Sequence, residues 1–324
     1  MAALARSALR YSARHEAAAS DSFADHVIAG LGDTPKWLSA KYFYDAAGSE
    51  LFEQITRLPE YYPTRTELSI LKRCAGEISG YIPLSASLVE FGAGSSKKAR
   101  IMIDAAPQLA AYVPVDISAE FLAQEAAAVR RDVPWIAVLP VAVDFTRDFD
   151  LPPQTRARPR VGFFPGSTIG NFEPEDATEF LRQAGRVLGQ GATMIVGVDL
   201  IKDEEVLNAA YNDAEGVTAQ FNLNILTRMN RELGGNLDVS SFRHHAFYNV
   251  EDHRIEMHLE SLKDQSVTVA GRTFSFAKGE TIHTENSYKY TVDSFHALAR
   301  DAGWRWAATW TDEKNYFSVH ALRL

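Results

Sequence analysis

The chain of 324 residues has a single cysteine, Cys74. An intramolecular disulfide is therefore excluded, and a reducing, cytoplasmic setting is expected. No apolar run approaches the roughly 18 residues needed to cross a bilayer, so no membrane partner is expected. Basic residues are in deficit: 33 Lys and Arg face 42 Asp and Glu, for a formal net charge of −9. A general nucleic-acid binder needs the opposite balance, because phosphates are neutralised by a Lys/Arg excess. There is no internal repeat and no low-complexity linker, and a monomer is the default expectation. What remains, 46% hydrophobic and 11% aromatic residues, is enough to bury one large or two ordinary domains.

The amino terminus, "MAALARSALRYSARHEAAAS", places Arg6, Arg10 and Arg14 at helical spacing. It lacks the continuous apolar core of a secretory signal, so a solvated arm of low order is expected. "DSFADHVIAGL" reads as a helix capped by Ser22 or Asp21. "SELFEQITRLP" reads as a second helix, stopped by Pro59. In "YYPTRTELSILKRCAGEI", Thr64 and Glu67 form a capping-box pattern, with Leu68, Leu71 and Ile78 on one apolar face.

From residue 88 the pattern changes to strand–loop–helix units. "SLVEFG", "AAYVPVDIS", "WIAVLPVAVDF", "RVGFFPGSTIG" and "ATMIVGVDL" read as strands. "SSKKARIMIDAA", "AEFLAQEAAAVRRD" and "PEDATEFLRQAGRVL" read as the helices between them, the last with Pro174 in its first turn. Short, nearly all-apolar strands alternating with helices indicate an α/β fold with a parallel sheet buried on both faces. Residues 202–284 break the rhythm. They read as a mostly helical stretch followed by the period-two alternation of antiparallel strands, a mixed cap inserted into the sheet. The tail returns to a helix and a closing hairpin.

The most informative stretch is "VEFGAGSSKK". Glycines at a strand end bare backbone amides before a helix N-terminus, an arrangement that favours nucleotides. A dinucleotide fingerprint needs a third glycine, and Lys97 stands there instead. Glu90, just ahead of Gly92 and Gly94, is a poor companion for a pyrophosphate and a good one for a cation. Asp116 ends the second strand, where an acid suits a ribose diol. Asp144, followed by Phe145, ends the third, where a carboxylate can accept from an exocyclic amine. Three acids at successive strand ends describe a site for a nucleoside with a positive centre and an amino-acid tail, which is S-adenosylmethionine. Lys97 is placed to meet that tail's carboxylate, and Lys98 is expected at the surface. The fourth strand end, "FFPGSTIGNF", adds Gly166 and Asn171.

These segments, with "KYFYDAAGSELFEQITRLPEYYPTRTE", "AAYNDAEGVTAQFNLN", "RIEMHLES" and "HTENSYKY", resemble the histidine Nα-methyltransferase family of ergothioneine biosynthesis. The likeness runs from about residue 25 to the end, with the segments in the same order. The resemblance implies a class I methyltransferase sheet, Rossmann-like, over residues 63–201 and 285–324. It implies a second, inserted α+β substrate-binding domain from residues 20–62 and 202–284. It implies trimethylation of the α-amine of L-histidine to hercynine with S-adenosylmethionine as donor. By motif, Tyr61, Asn171 and Tyr211 correspond to residues that hold the substrate's carboxylate and amine, with Tyr211 and Asn171 nearest the chemistry. Glu285 and Ser287 correspond to the pair that grips the imidazole, Met257 to a pocket-lining position and Phe52 to a nearby wall. The choice of Tyr61 over Tyr62 is the least determined of these.

Simpler readings stand beside these. Tyr61, Tyr62 and Tyr211 are also what helix-edge aromatics look like. A strand-tip Asp is often a cap or turn residue. His244, His245, His253 and His258 invite a metal reading, but adjacent strand residues point to opposite faces, and no metal is expected. His283 near Glu285 also reads as a satisfied structural pair. A tryptophan- or tyrosine-methylating relative, a nicotinamide-dependent oxidoreductase and a non-catalytic binding protein are the alternatives.

Overall fold

The computed structural model describes residues 22–324; the arginine-spaced arm and Asp21 lie outside the described residues. The chain divides into two compact units. One comprises the residues through Tyr61, Glu204–Glu251 and Ile255–Asn286. The other comprises Tyr62–Asp203, Asp252–Arg254 and Ser287–Leu324.

In chain order the first elements are α1 (Phe23–Gly32), β1 (Lys36–Trp37) and α2 (Ala46–Ile55). Ser22 caps α1 by accepting from the Asp25 amide, as its residue type predicts. Helix α2 ends at Ile55, one turn before Pro59, with Asp45 capping its start through the Gly48 amide. Next come α3 (Tyr62–Ser79), β2 (Ser87–Phe91), α4 (Lys97–Ala105), β3 (Ala111–Asp116) and α5 (Ala119–Asp132). They are followed by β4 (Ala137–Val138), β5 (Val141–Ala142), β6 (Arg160–Phe164), α6 (Pro174–Leu188) and β7 (Thr193–Asp199). The inserted stretch holds α7 (Glu204–Tyr211), α8 (Val217–Leu233), β8 (Phe242–Asn249), β9 (Arg254–Ser261), β10 (Gln265–Val269), β11 (Arg272–Phe276) and β12 (Thr281–Tyr288). The tail is α9 (Val292–Asp301), β13 (Arg305–Thr311) and β14 (Phe317–Arg323).

The large sheet has the order β13-β14-β7-β6-β2-β3-β4. Strands β7, β6, β2, β3 and β4 run parallel, while β14 is antiparallel to both β7 and β13. This is a Rossmann-like, doubly wound sheet, its order reversing between β2 and β6, where the carboxyl strand ends form a ligand crevice. Both faces are buried, which is why its strands read as unbroken apolar runs. Leu88, Tyr112 and Phe163 pack with Ile70, Leu71 and Cys74 of α3 and Met102 of α4. Val89, Val113 and Phe164 pack with Leu181 of α6 and Phe295 of α9 on the other face. Trp304 is fully buried there and donates its indole N–H to the Leu181 carbonyl at 2.8 Å. Truncation of such a side chain typically costs about 3–5 kcal/mol.

Two local expectations are corrected here. "WIAVLPVAVDF" is not one strand: Pro140 lies between β4 and β5, two short pieces that each pair with β3. Proline lacks the N–H a continuous ladder needs. Thr64 and Glu67 make no capping box, because α3 already begins at Tyr62. Glu67 is instead buried inside the fold.

The other unit is built around the sheet β1-β12-β9-β8 and the hairpin β10-β11. Helix α8 is fastened to this sheet by Asn222, which is fully buried. Its amide donates to the His258 carbonyl at 3.0 Å and contacts His244 Nδ1 at 2.9 Å, while its oxygen accepts from Thr284 Oγ1 at 2.8 Å. One side chain thereby satisfies groups on three strands, which a buried amide must do to offset its desolvation. No helix among the described residues is long and apolar enough to cross a membrane.

Candidate active site

In the unit carrying the large sheet, the loop after β2 turns at Gly92, whose φ of +69° favours glycine; a Cβ there would also meet the Phe145 ring at 3.3 Å. At Gly94 a Cβ would meet nothing within 4 Å, so the backbone faces open space rather than protein. The Ser96 amide ahead of α4 donates to Glu125 Oε2 at 2.9 Å. A carboxylate of α5 therefore already occupies a donor that a dinucleotide's pyrophosphate would claim.

Glu90 is buried and accepts from the Tyr112 hydroxyl. Burial pushes its carboxyl up to about 8, against the lowering effects of the Tyr112 hydrogen bond and Lys98; Glu67 and Asp116 push it further up. Burial likewise pushes Asp116 up to about 6, although it accepts from the Ser118 amide at 2.8 Å. Two carboxyls held close to protonation at one crevice form a site that a cation would ionise and occupy. The donor set and the open space over Gly94 fit S-adenosylmethionine. Asp144 accepts from the Thr146 amide at 3.0 Å and from its hydroxyl at 2.6 Å, a self-contained turn at the strand tip. Phe145 packs against Phe91, Phe164 and Phe180. Lys97 is exposed in the first turn of α4.

Lys98 is not a surface residue. It is largely buried and pairs with Glu67 Oε2 at 2.5 Å. Glu67 also accepts from the Gly166 amide, at 3.0 and 2.9 Å, and so ties α3 and α4 to the loop after β6. That loop runs Gly166, at φ +85°, and Ser167, at φ +57°, into a 3-10 turn over Thr168–Asn171. Ser167 Oγ accepts from the Asp199 amide at 2.8 Å. Gly170 is required by close approach, since a Cβ would sit 2.6 Å from the Tyr288 carbonyl. These contacts fix the backbone that carries Asn171.

Beneath lies a charge network the sequence did not reveal. Asp199 is buried with Lys202 Nζ at 2.5 Å and Lys289 Nζ at 2.8 Å. Burial alone would raise the Asp199 carboxyl, but Lys289 and Lys202 hold it below its ordinary value. Tyr62 donates its hydroxyl to Asp199 at 2.7 Å and accepts from Lys202 at 2.7 Å. Lys289 also donates to Ser287 Oγ at 2.7 Å. Tyr62 is thus committed to this network.

In the other unit, Tyr61 lies with Phe52 and Tyr211, ring centroids 6.3 Å away in both cases. Tyr44 and Phe221 extend this aromatic wall beyond Phe52. Tyr211 ends α7, and its carbonyl is met by His244 Nε2 at 2.9 Å. Because Asn222 donates to His244 Nδ1, the proton is assigned to Nε2. Burial lowers the His244 pKa, keeping it neutral, so it serves as a fixed donor holding the main chain at Tyr211. Sequence reading considered His244 only as a metal ligand; its placement opposite a helix end was the missing signal. Met257 is buried on β9, with its carbonyl accepting from Thr284 Oγ1 of β12 at 3.0 Å. Glu285 follows on β12, half-buried, its carbonyl contacted by His283 Nε2 at 3.2 Å.

The sequence is similar to named histidine methyltransferases over nearly all its length. It is 41% identical over 306 residues to the histidine N-alpha-methyltransferase of Mycolicibacterium smegmatis, covering 93% of this chain and 94% of that protein. It is 41% identical over 298 residues to the Mycobacterium tuberculosis protein of the same name, covering 90% and 92%. It is 30% identical over 309 residues to ergothioneine biosynthesis protein 1 of Neurospora crassa, covering 90% of this chain and 33% of that larger protein. A family model described as histidine-specific, SAM-dependent methyltransferase matches residues 23–324. The chain belongs to the histidine-specific, S-adenosylmethionine-dependent methyltransferase family.

Proposed function

We infer that this protein methylates the α-amino group of L-histidine three times, giving hercynine for ergothioneine biosynthesis. The observation that carries the donor half is the Gly92–Gly94 loop, flanked by Glu90 and Asp116, two carboxyls that burial pushes up to about 8 and about 6, and with its nearest helix amide already taken by Glu125. It is a turn built for a cationic nucleoside rather than a pyrophosphate. S-adenosylmethionine supplies an electrophilic methyl on a sulfonium.

The residues of this chain then have definite tasks. Asp116 accepts from the ribose hydroxyls, and Glu90 balances the positive charge of the donor. Lys97 meets the donor's carboxylate, Asp144 the adenine amine, and Phe145 with Gly166 closes the nucleoside pocket. Tyr61, Asn171 and Tyr211 hold the substrate's carboxylate and amine. Glu285 and Ser287 complement the imidazole, which offers one N–H donor and one bare nitrogen. Phe52 and Met257 shape the apolar remainder.

Displacement at a sulfonium needs the neutral amine held in line, roughly 3 Å from the methyl carbon. Tyr211, its backbone fixed by His244, steers that amine, and the proton released leaves to water. An occupant without an imidazole forgoes the hydrogen bonds that Glu285 and Ser287 offer, which favours histidine over other amino acids. Titration calorimetry with S-adenosylmethionine and histidine, coupled to detection of methylated product, tests this reading. Donor binding without turnover of histidine would reject it.

A further inference from the structure

We propose that Glu256, His258 and His283 form a binding site for a divalent first-row transition-metal ion of the zinc type. Strand alternation puts Glu256 and His258 on one face of β9, and β12 is the neighbouring strand, bringing His283 beside them. One ligand atom from each of the three residues lies within 4.8 Å of those of the other two. His258 Nε2 and Glu256 Oε2 stand 3.0 Å apart. That is close to the ~3.3 Å ligand spacing of a tetrahedral site with bonds of about 2.0–2.1 Å.

The three side chains are held in place by the fold. The His258 ring stacks on His283 at 4.5 Å and 15°, and on Phe247 at 5.6 Å and 14°. Glu256 Oε1 accepts from Asn249 Nδ2 at 2.9 Å, the kind of outer hydrogen bond that orients metal-binding carboxylates. His258 Nδ1 is buried with no hydrogen-bond partner. Ring stacking and the Nε2 contact to Glu256 therefore set this ring, and an ion bound at Nε2 would replace that contact. Two imidazoles and a carboxylate select zinc, cobalt or nickel over magnesium or calcium. Three protein donors leave a position open on the ion. His244 plays no part: it is turned to Asn222 and Tyr211.

The test is titration of the full chain with zinc chloride by calorimetry, and with cobalt chloride by visible absorption. One saturable ion per chain is expected, with cobalt showing the d–d bands of low-coordinate nitrogen and oxygen ligation. His258→Ala and His283→Ala should each abolish the cobalt bands. Asn249→Ala, which removes that hydrogen bond to Glu256, should weaken zinc about 10–100-fold. Circular dichroism checks that each variant is folded, and zinc should raise the melting temperature of the unmodified protein but not of the histidine variants. Absence of saturable zinc binding by the unmodified protein would overturn the proposal. So would zinc binding unchanged in both histidine variants, which would place the ion elsewhere.

Discussion

Lowering the pH from about 9 to 6 should weaken donor binding, and the cause is Glu90. Its carboxyl is pushed up to about 8 in the ligand-free protein. A cationic donor is stabilised by the ionised form. At two units below that value, ionising Glu90 costs about 2.7 kcal/mol, since each unit is 1.36 kcal/mol. Affinity should fall by up to about 100-fold between pH 9 and 6. Asp116, pushed up to about 6, begins to titrate only at the bottom of this window. The assay is calorimetric titration of S-adenosylmethionine and S-adenosylhomocysteine across the range, with unmodified protein and Glu90→Gln. The variant should bind more weakly above pH 8 and show a flattened profile. A steeper slope for the sulfonium than for the thioether makes the sulfonium the group that Glu90 balances; equal slopes assign that role to the donor's amine. A flat profile in the unmodified protein, or an equal slope in Glu90→Gln, would refute the reasoning.

Four further outcomes follow from the same geometry. Because the raised Glu90 pKa means the folded state holds a proton that the unfolded state releases between about 4.5 and 8, ligand-free protein should lose stability as pH rises through that window; melting curves should show this loss reduced in Glu90→Gln. Asp199→Asn leaves Lys202 and Lys289 buried without their counter-charge, and denaturant titration should show a loss of about 3–5 kcal/mol. Tyr62→Phe removes the hydroxyl shared by Asp199 and Lys202 and should cost about 1–3 kcal/mol of stability, whereas Tyr61→Phe should raise the KM for histidine. Glu285→Ala should raise the KM for histidine about 10–100-fold, since a hydrogen bond to a charged group contributes about 1.5–3 kcal/mol, with donor affinity measured by calorimetry unaltered.

The sheet was legible because its signal is local and repeated. Each strand buried on both faces is an apolar run, and each helix between is amphipathic, so α5 and α6 fall on the residues their patterns predict. The break of the third strand was visible too, in Pro140, but was overridden by the apolar residues around it. Glu67 shows why a correct local rule can fail. Thr64 and Glu67 match a capping box in sequence, yet the acid is claimed by Gly166 and Lys98, distant in the chain and close in the fold. The Asp199–Lys202–Lys289 network was missed for the same reason: its charges sit at the ends of different elements, and only strand pairing brings them together. The distinction between Tyr61 and Tyr62 also depended on tertiary structure. Adjacent tyrosines are alike in sequence, and only their partners, an aromatic wall for one and a buried ion network for the other, separate them.

The most direct test of the central claim is mass spectrometry of the purified protein supplied with S-adenosylmethionine and each proteinogenic amino acid in turn. The account predicts successive mono-, di- and trimethylated histidine, ending at the α-N-trimethyl betaine, with tryptophan and tyrosine left essentially unmodified. Methylation of another amino acid in preference to histidine, or methyl groups on the imidazole in place of the α-amine, would contradict it.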